Sequence, residues 1–287
     1  MGTTLTAPAV RNRKRTPDAA PLVMVTAYDA PGARMADEAG VDIILVGDSL
    51  AMVVLGYDDT LQVTVADMAH HTAAVARARP GALVVADMPW MSYHVSVEDT
   101  VRNAAELVRA GAEAVKLEGG RRRVPVVEAV IDAEIPVMGH IGLTPQSVHA
   151  MGGFKVQGRK ADAARGLVDD ALALAAAGCF AIVLEGVPDE VGRMITEAVP
   201  VPTIGIGAGP HCDGQVLVFH DVLGIEDRIT PKFVRRYASL KTDAVEALRA
   251  FATDVRSGAF PSAAESYHLT AEVAEALDLY GSATKSA

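Results

Sequence analysis

Eight short runs of apolar, mostly β-branched residues recur along this chain: Leu22–Thr26, Asp42–Val46, Ala82–Ala86, Ala114–Leu117, Pro136–Gly139, Ala181–Leu184, Pro202–Ile206 and Val216–Phe219. Half-exposed strands alternate apolar with polar residues. These runs are apolar nearly throughout, which marks strands covered on both faces. Helical patterns lie between most of them. Thr64 and Asp67 have capping-box spacing ahead of Val65, Met68, Ala69, Thr72 and Ala73. Ser96 and Asp99 stand in the same relation to Val101, Ala104, Ala105 and Val108. Ala161–Ala177 is rich in Ala and Leu and stops at Gly178, a C-terminal glycine. Eight strands alternating with helices in 287 residues indicate a (β/α)8 barrel, with an open doubly wound sheet as the other architecture this pattern admits.

An internal echo points the same way. Ala110–Gly119 and Ala177–Gly186 both read as helix end, glycine, strand, then glutamate, 67 residues apart. Pro136–Gly139 and Pro202–Gly205 repeat the next strand at an offset of 66. Either a duplication or a shared βα grammar accounts for it, and both mean that one unit is used again.

Composition removes several function classes. Half the residues are apolar and 22% are charged, so the chain buries a core. Lys plus Arg number 26 and Asp plus Glu 36, a net charge of −10, which argues against binding nucleic-acid phosphates. The longest apolar run, Ala171–Leu184, has 14 residues around Gly178, short of the roughly 18 that a membrane span needs. Cys179 and Cys212 form no CxxC pair, so a reducing cytoplasm is the expected compartment. Residues 1–20 read as a flexible tail with a basic cluster (Arg11, Arg13, Lys14, Arg15) and no signal-peptide core. Met1–Thr6 fits the very short myristoylation pattern, which a plain solvated tail explains better. The barrel is expected over residues 21–260, with a helix at Thr242–Arg256, and a C-terminal tail over 261–287.

Barrel enzymes carry their chemistry where strands end. Here those ends are polar: Asp48 and Ser49 after the second strand, Asp87 at the third, Lys116 and Glu118 in the fourth, His140 at the fifth and Glu185 at the sixth. Period two puts Lys116 and Glu118 on one side of their strand. Taken singly, each has a plainer role. Asp48 serves equally as a helix cap and Asp87 as a turn residue before Met88-Pro89. Lys116 with Glu118 could be a solvated edge pair, His140 a structural histidine, and Glu185 the start of a helix. Together they are hard to explain by stability, because unpaired buried charges are costly. Carboxylates without a cysteine or paired-histidine motif suit a hard cation, Mg²⁺ before Zn²⁺. Such an ion could bridge Asp48 and Asp87, reach Glu118 through water, hold a 2-oxo acid and act on a developing enolate. Lys116 would neutralise the anionic substrate and Glu185 would serve as general base.

Three other features carry less. Gly205–Gly209 follows a strand, but its third glycine is one residue early for a dinucleotide fingerprint, so it reads as a tight loop near a ligand's anionic group. His70-His71 lacks ligand spacing. Cys179 abuts an apolar strand and is expected to be buried and inert.

The chain resembles the ketopantoate hydroxymethyltransferase family from about Val25 to Pro261. The resemblance is carried by Thr26-Ala27-Tyr28-Asp29, Leu45–Leu50, Ala86-Asp87-Met88-Pro89, Val115–Gly120, Gly139–Ser147, Gly152–Arg159, Ile204–Gly209 and Cys212–Gln215. It implies a (β/α)8 barrel of the phosphoenolpyruvate/pyruvate type. It also implies transfer of a hydroxymethyl group from 5,10-methylenetetrahydrofolate to 3-methyl-2-oxobutanoate, in pantothenate synthesis. By the same resemblance Asp48 and Asp87 are Mg²⁺ ligands with Glu118 associated. Asp48, Ser49, Asp87, Lys116 and His140 contact the oxo acid, Glu185 accepts the proton, and the assembly is a homodecamer. Three stretches depart from the family pattern. Gly186 replaces a larger residue, Ser92–Glu98 is one residue longer than in some members, and Glu265–His268 stands at the usual ending. The rival readings are a metal-dependent 2-oxo acid lyase of the isocitrate lyase type, a Schiff-base aldolase using Lys116, and a barrel that only binds a ligand.

Overall fold

The computed structural model describes residues 4–14, 20–228 and 231–277. Met1–Thr3 of the acylation pattern, Arg15 of the basic cluster and the tail beyond residue 277 lie outside them. Eight parallel strands close into a barrel in chain order: β1 (Leu22–Thr26), β2 (Ile43–Val46), β3 (Leu83–Asp87), β4 (Ala114–Glu118), β5 (Val137–Gly142), β6 (Ala181–Glu185), β7 (Thr203–Ile206) and β8 (Gly214–Leu217). β1 pairs with both β2 and β8, so the open doubly wound sheet does not occur.

Alternation along each strand builds two cores. Leu22, Met24, Ile43, Leu45, Leu83, Val85, Ala114, Met138, Ala181 and Val183 fill the barrel interior. Ile44, Val46, Val84, Ala86, Val115, Leu117, Ile182 and Leu184 pack outward with the surrounding helices. This is why the runs are apolar throughout. The parity also decides where the polar residues go. Asp87 is two residues beyond Val85, Lys116 and Glu118 are two and four beyond Ala114, His140 is two beyond Met138, and Glu185 is two beyond Val183. Each therefore points into the interior at the C-terminal mouth.

Local signals act as their chemistry requires. The Thr64–Asp67 capping box is complete: the Asp67 N–H donates to Thr64 Oγ1 (3.3 Å) and the Thr64 N–H to Asp67 Oδ2 (2.8 Å). Ser96 caps Val97–Arg109 through the Asp99 N–H (3.1 Å). The Ala/Leu-rich helix spans Ala161–Ala176 and ends ahead of Gly178, which has a φ of +102°.

Several boundaries differ from the sequence reading. β5 continues past Gly139 to Gly142, so His140 lies within the strand rather than at its end. β8 begins at Gly214, and Phe219 opens the helix Phe219–Leu223. Sequence pattern misses this start because Gly214 and Gln215 look like a loop. A Cβ at Gly214 would lie 2.6 Å from the Leu22 carbonyl oxygen, so the approach of β8 to β1 requires glycine.

Residues set apart as an N-terminal tail form a helix at Ala7–Arg11, capped by Thr6. Its Ala7 and Val10 are buried within the barrel-interior core. Lys14 Nζ donates to the Thr196 carbonyl (2.6 Å) and lies 2.8 Å from Asp213 Oδ2, which also accepts the Thr203 N–H (2.7 Å). This latch sits beneath the starts of β7 and β8. The compact unit containing the barrel closes at Ala238, whereas the sequence reading carried it to residue 260. The second unit, from Ser239, contains the helix Leu240–Ser257, two residues earlier at its start than the pattern indicates, and a shorter helix at Ala271–Ala276. The Phe251 and Phe260 rings meet edge-on within it, 5.3 Å between centroids.

Candidate active site

All seven polar residues singled out at the strand ends line one cavity of about 1100 Å³ at the barrel mouth. Asp48, Asp87, Lys116, Glu118 and His140 are buried, and Glu185 is slightly more open, its side chain 16% exposed. The plainer readings are set aside by what the side chains touch. Asp48 does not cap the helix Leu50–Val53; its Oδ2 accepts from Gln146 Nε2 at 2.9 Å. Asp87 does not close a turn: Oδ1 meets Lys116 Nζ at 2.7 Å and Oδ2 accepts the Asp48 N–H at 3.1 Å. Lys116 and Glu118 sit inside a closed barrel, not on an edge.

The charges are interlocked. Burial alone would lower the Lys116 pKa, but Asp87, Glu118 and Asp48 outweigh it and raise the pKa above the usual lysine value. Lys116 is therefore an ammonium. Asp48 moves the other way for an acid: burial, then the nearby Asp87 and Glu118, push its carboxyl well above the ordinary aspartate range. His140 Nδ1 lies 3.3 Å from Lys116 Nζ and 3.5 Å from Glu118 Oε1. An ammonium only donates, so the first contact is a hydrogen bond on a neutral ring, and protonation exchanges it for the second. Burial and Lys116 oppose that protonation. Glu118 and Glu185 more than offset them, raising the His140 pKa to about 9. His140 Nε2 lies 3.3 Å from Glu185 Oε2 but off the hydrogen-bonding direction, so it has no hydrogen-bond partner among the described residues.

Ser49 is set by a chain of hydroxyls. The Phe219 N–H donates to Thr26 Oγ1 (3.0 Å), Thr26 donates to the Tyr28 hydroxyl (2.8 Å), and Tyr28 lies 2.9 Å from Ser49 Oγ. With Tyr28 donating to Ser49, the Ser49 proton is left for a ligand in the cavity. His71 Nδ1 reaches the Tyr28 carbonyl (2.6 Å), which gives this histidine a structural role.

Sequence reasoning assigned no role to Gln146 or Tyr93. Gln146 is buried and touches Asp48, Glu118, Tyr93 and the Met88 carbonyl. Its only sequence signal was membership of the Gly139–Ser147 motif. Tyr93 lies in the loop after β3, and its hydroxyl accepts the Glu118 N–H (3.2 Å). The Gly205–Gly209 loop does border the cavity, where Gly207 has a φ of +62° and a Cβ would lie 2.8 Å from the Phe233 ring. Gly186, with a φ of +53°, lines the rim next to this loop, its N–H donating to the Ile206 carbonyl at 2.9 Å.

The cavity is also lined by Phe154, Val156 and Phe233, by the basic Lys155, Arg159 and Lys232, and by the acidic Asp58, Asp189, Asp221 and Glu226. Deeper in, three buried carboxylates face one lysine. Among the described residues, no three His, Cys, Asp or Glu side chains close on a single point as a finished metal cage. The donors are all oxygen, and Asp48 Oδ1 accepts no hydrogen bond from the described residues. One or two carboxylates with water completing the shell is how Mg²⁺ is usually held, and a cation would relieve the crowding that raises Asp48.

The chain matches the family model described as ketopantoate hydroxymethyltransferase over residues 5–263. It is 60% identical over 241 residues to a 3-methyl-2-oxobutanoate hydroxymethyltransferase of Syntrophobacter fumaroxidans, covering 84% of this chain and 86% of that one. It is 61% identical over 240 residues to the protein of the same name from Ignicoccus hospitalis, covering 84% and 91%. Among solved structures it is similar to a phosphoenolpyruvate phosphomutase of Streptomyces platensis, with TM-score 0.59, 17% identity and 96% of each chain covered. It is also similar to 2,3-dimethylmalate lyase, a PEP mutase/isocitrate lyase superfamily member, with TM-score 0.57, 18% identity, and 97% and 100% covered. At those identities the likeness is one of fold.

Proposed function

Because the chain belongs to the ketopantoate hydroxymethyltransferase family, we propose that the cavity at its barrel mouth is where that family's reaction takes place. The enzyme transfers a hydroxymethyl group to 3-methyl-2-oxobutanoate and forms 2-dehydropantoate (ketopantoate), a step of pantothenate synthesis. In this reading 5,10-methylenetetrahydrofolate supplies the carbon, water supplies the hydroxyl oxygen, and tetrahydrofolate is released. The observation that carries the site assignment is the convergence of Asp48, Ser49, Asp87, Lys116, Glu118, His140 and Glu185 on one cavity.

Each side chain has a task that its surroundings suit. The Lys116 ammonium, held by Asp87, neutralises the oxo acid's carboxylate. Ser49, oriented by Tyr28, donates a hydrogen bond to it, and His140 Nε2, which makes no hydrogen bond to the described residues, lies beside it. Asp48 and Asp87 would hold Mg²⁺, with Glu118 reaching it through water. When bound, the ion supplies Lewis-acid polarisation of the keto oxygen. Glu185 Oε2 takes the proton from C3 and holds it, with His140 3.3 Å away to stabilise the changing charge. The electron pair left on C3 forms the new bond to the donor's methylene carbon; both bonds from that carbon to the folate nitrogens break, water supplies its hydroxyl, and the C3 proton and the second water proton pass to the two nitrogens as tetrahydrofolate leaves. The cavity lining suits a folate-class donor, with Phe154, Val156 and Phe233 for an aromatic body and Lys155, Arg159 and Lys232 for an anionic tail.

No described helix is long and apolar enough to cross a membrane. A cytoplasmic homodecamer completes the proposal. The lyase reading is less favoured, since the lyase- and mutase-type neighbours share only 14–18% identity with this chain. The test is product formation from 3-methyl-2-oxobutanoate with 5,10-methylenetetrahydrofolate and Mg²⁺. Ketopantoate and tetrahydrofolate should appear in equal amounts, and cleavage of the oxo acid without any donor would move the assignment to a lyase.

A further inference from the structure

We propose that the side chain of Gln146 is a positioning residue for the metal ion, because it fixes which oxygen of Asp48 faces the cavity. The inference rests on the reading that Asp48 and Asp87 hold that ion. Gln146 follows Pro145 in a single 3-10 turn at Pro145–Ser147, after β5, yet its side chain is buried between the ends of β2 and β3.

Its amide has one possible orientation. Gln146 Oε1 accepts from the Tyr93 hydroxyl at 2.5 Å. Its Nε2 donates to the Met88 carbonyl at 3.0 Å, and a carbonyl can only accept. A flipped amide would set two acceptors against each other at Met88. The second N–H of Nε2 is therefore directed at Asp48 Oδ2, 2.9 Å away. With Oδ2 occupied, Asp48 turns Oδ1 alone to the cavity, as a one-oxygen ligand.

The anchoring extends outward. Tyr93 donates to Gln146 and accepts the Glu118 N–H, and Arg123 stands over its ring at 5.5 Å from the centroid. The Gln146 main-chain N–H separately holds Glu118 Oε2 at 3.0 Å. That bond survives any side-chain substitution, so a side-chain variant leaves this direct hold on Glu118 in place. Groups that orient metal ligands typically contribute about 10–100-fold in affinity.

The test is a titration of metal-free enzyme with Mn²⁺ alone, followed by electron paramagnetic resonance of the free ion, with thermal unfolding of each metal-free variant measured alongside. Gln146→Met keeps the volume and removes both donations and the acceptor. It should weaken Mn²⁺ binding about 10–100-fold while the metal-free protein stays folded. Tyr93→Phe, which keeps Gln146 and its bond to the Met88 carbonyl but removes the hydroxyl that steadies Oε1, should weaken binding to a smaller degree. A Gln146→Met protein that is folded and binds Mn²⁺ within twofold of wild type overturns the inference. Should Gln146→Met fail to fold, Tyr93→Phe decides: unchanged affinity overturns the proposal and a loss supports it. Wild type that takes up no Mn²⁺, or Asp48→Asn binding as wild type does, would overturn the metal reading beneath it and this inference with it.

Discussion

Asp87 Oδ1 lies 2.7 Å from Lys116 Nζ, and the two residues stand directly opposite each other where β3 pairs with β4. Both side chains are 5% exposed or less. Lys116 is a buried cation within this cluster of carboxylates, so its loss leaves Asp87, Asp48 and Glu118 to repel one another. Lys116→Met should destabilise the metal-free protein by about 3–5 kcal/mol, the usual cost of removing one member of a buried pair. Asp87→Asn combined with Lys116→Met should cost less than the sum of the single changes. Urea unfolding of the four proteins checks this, and additive effects would mean that the pair is not coupled.

The same carboxylates keep Lys116 protonated, which bears on an imine mechanism. A Schiff-base lysine must be neutral to attack, and Lys116 is held the other way. Treating the enzyme with borohydride and 3-methyl-2-oxobutanoate should leave its mass unchanged. A covalent adduct mapped to Lys116 would contradict this.

His140 makes stability depend on pH in the metal-free state. Its folded pKa is raised to about 9, above the ordinary histidine value of roughly 6.5. A raised folded pKa means that the folded state binds the proton more tightly. The stabilisation is complete below pH about 6.5 and is lost as pH rises through about 9. At roughly 1.4 kcal/mol per unit, the loss is on the order of 3 kcal/mol. Unfolding free energies from pH 6 to 10 in the presence of a chelator should fall in wild type and fall much less in His140→Gln.

Both cysteines should be silent in the native protein. Burial pushes the Cys179 thiol up to about 12, and burial raises Cys212 as well. At pH 8 a disulfide-exchange reagent should label neither until denaturant is added, when both react. Rapid native labelling would mean that the segments leading into β6 and β8 open readily.

The barrel and most of its mouth were legible because one rule produced both. Period two sorts Val85 from Ala86 and also sends Asp87, Lys116, Glu118 and Glu185 inward, so apolar runs ending in charge marked the site. Gln146 and Tyr93 were not legible in that way. They act from loops, far along the chain from the carboxylates they hold, and no periodicity connects a 3-10 turn after β5 to an aspartate after β2. Helix Ala7–Arg11 escaped notice for a related reason. Five residues carry too little pattern to distinguish a plug from a tail until Val10 is seen in the interior core. The start of β8 was hidden because its entry residue is a glycine chosen for close approach rather than strand propensity.

The central claim is that Glu185 takes the C3 proton of a metal-held 2-oxo acid at this mouth. It is tested most directly by following exchange of that proton by NMR in D₂O, with Mg²⁺ and 3-methyl-2-oxobutanoate, with and without tetrahydrofolate. Wild type should exchange the proton only when Mg²⁺ is present. Glu185→Gln, which keeps the shape and loses the base, should slow exchange by at least about 100-fold. Exchange by Glu185→Gln at the wild-type rate would remove Glu185 from its role, and no exchange by wild type under any of these conditions would contradict the enolising mechanism.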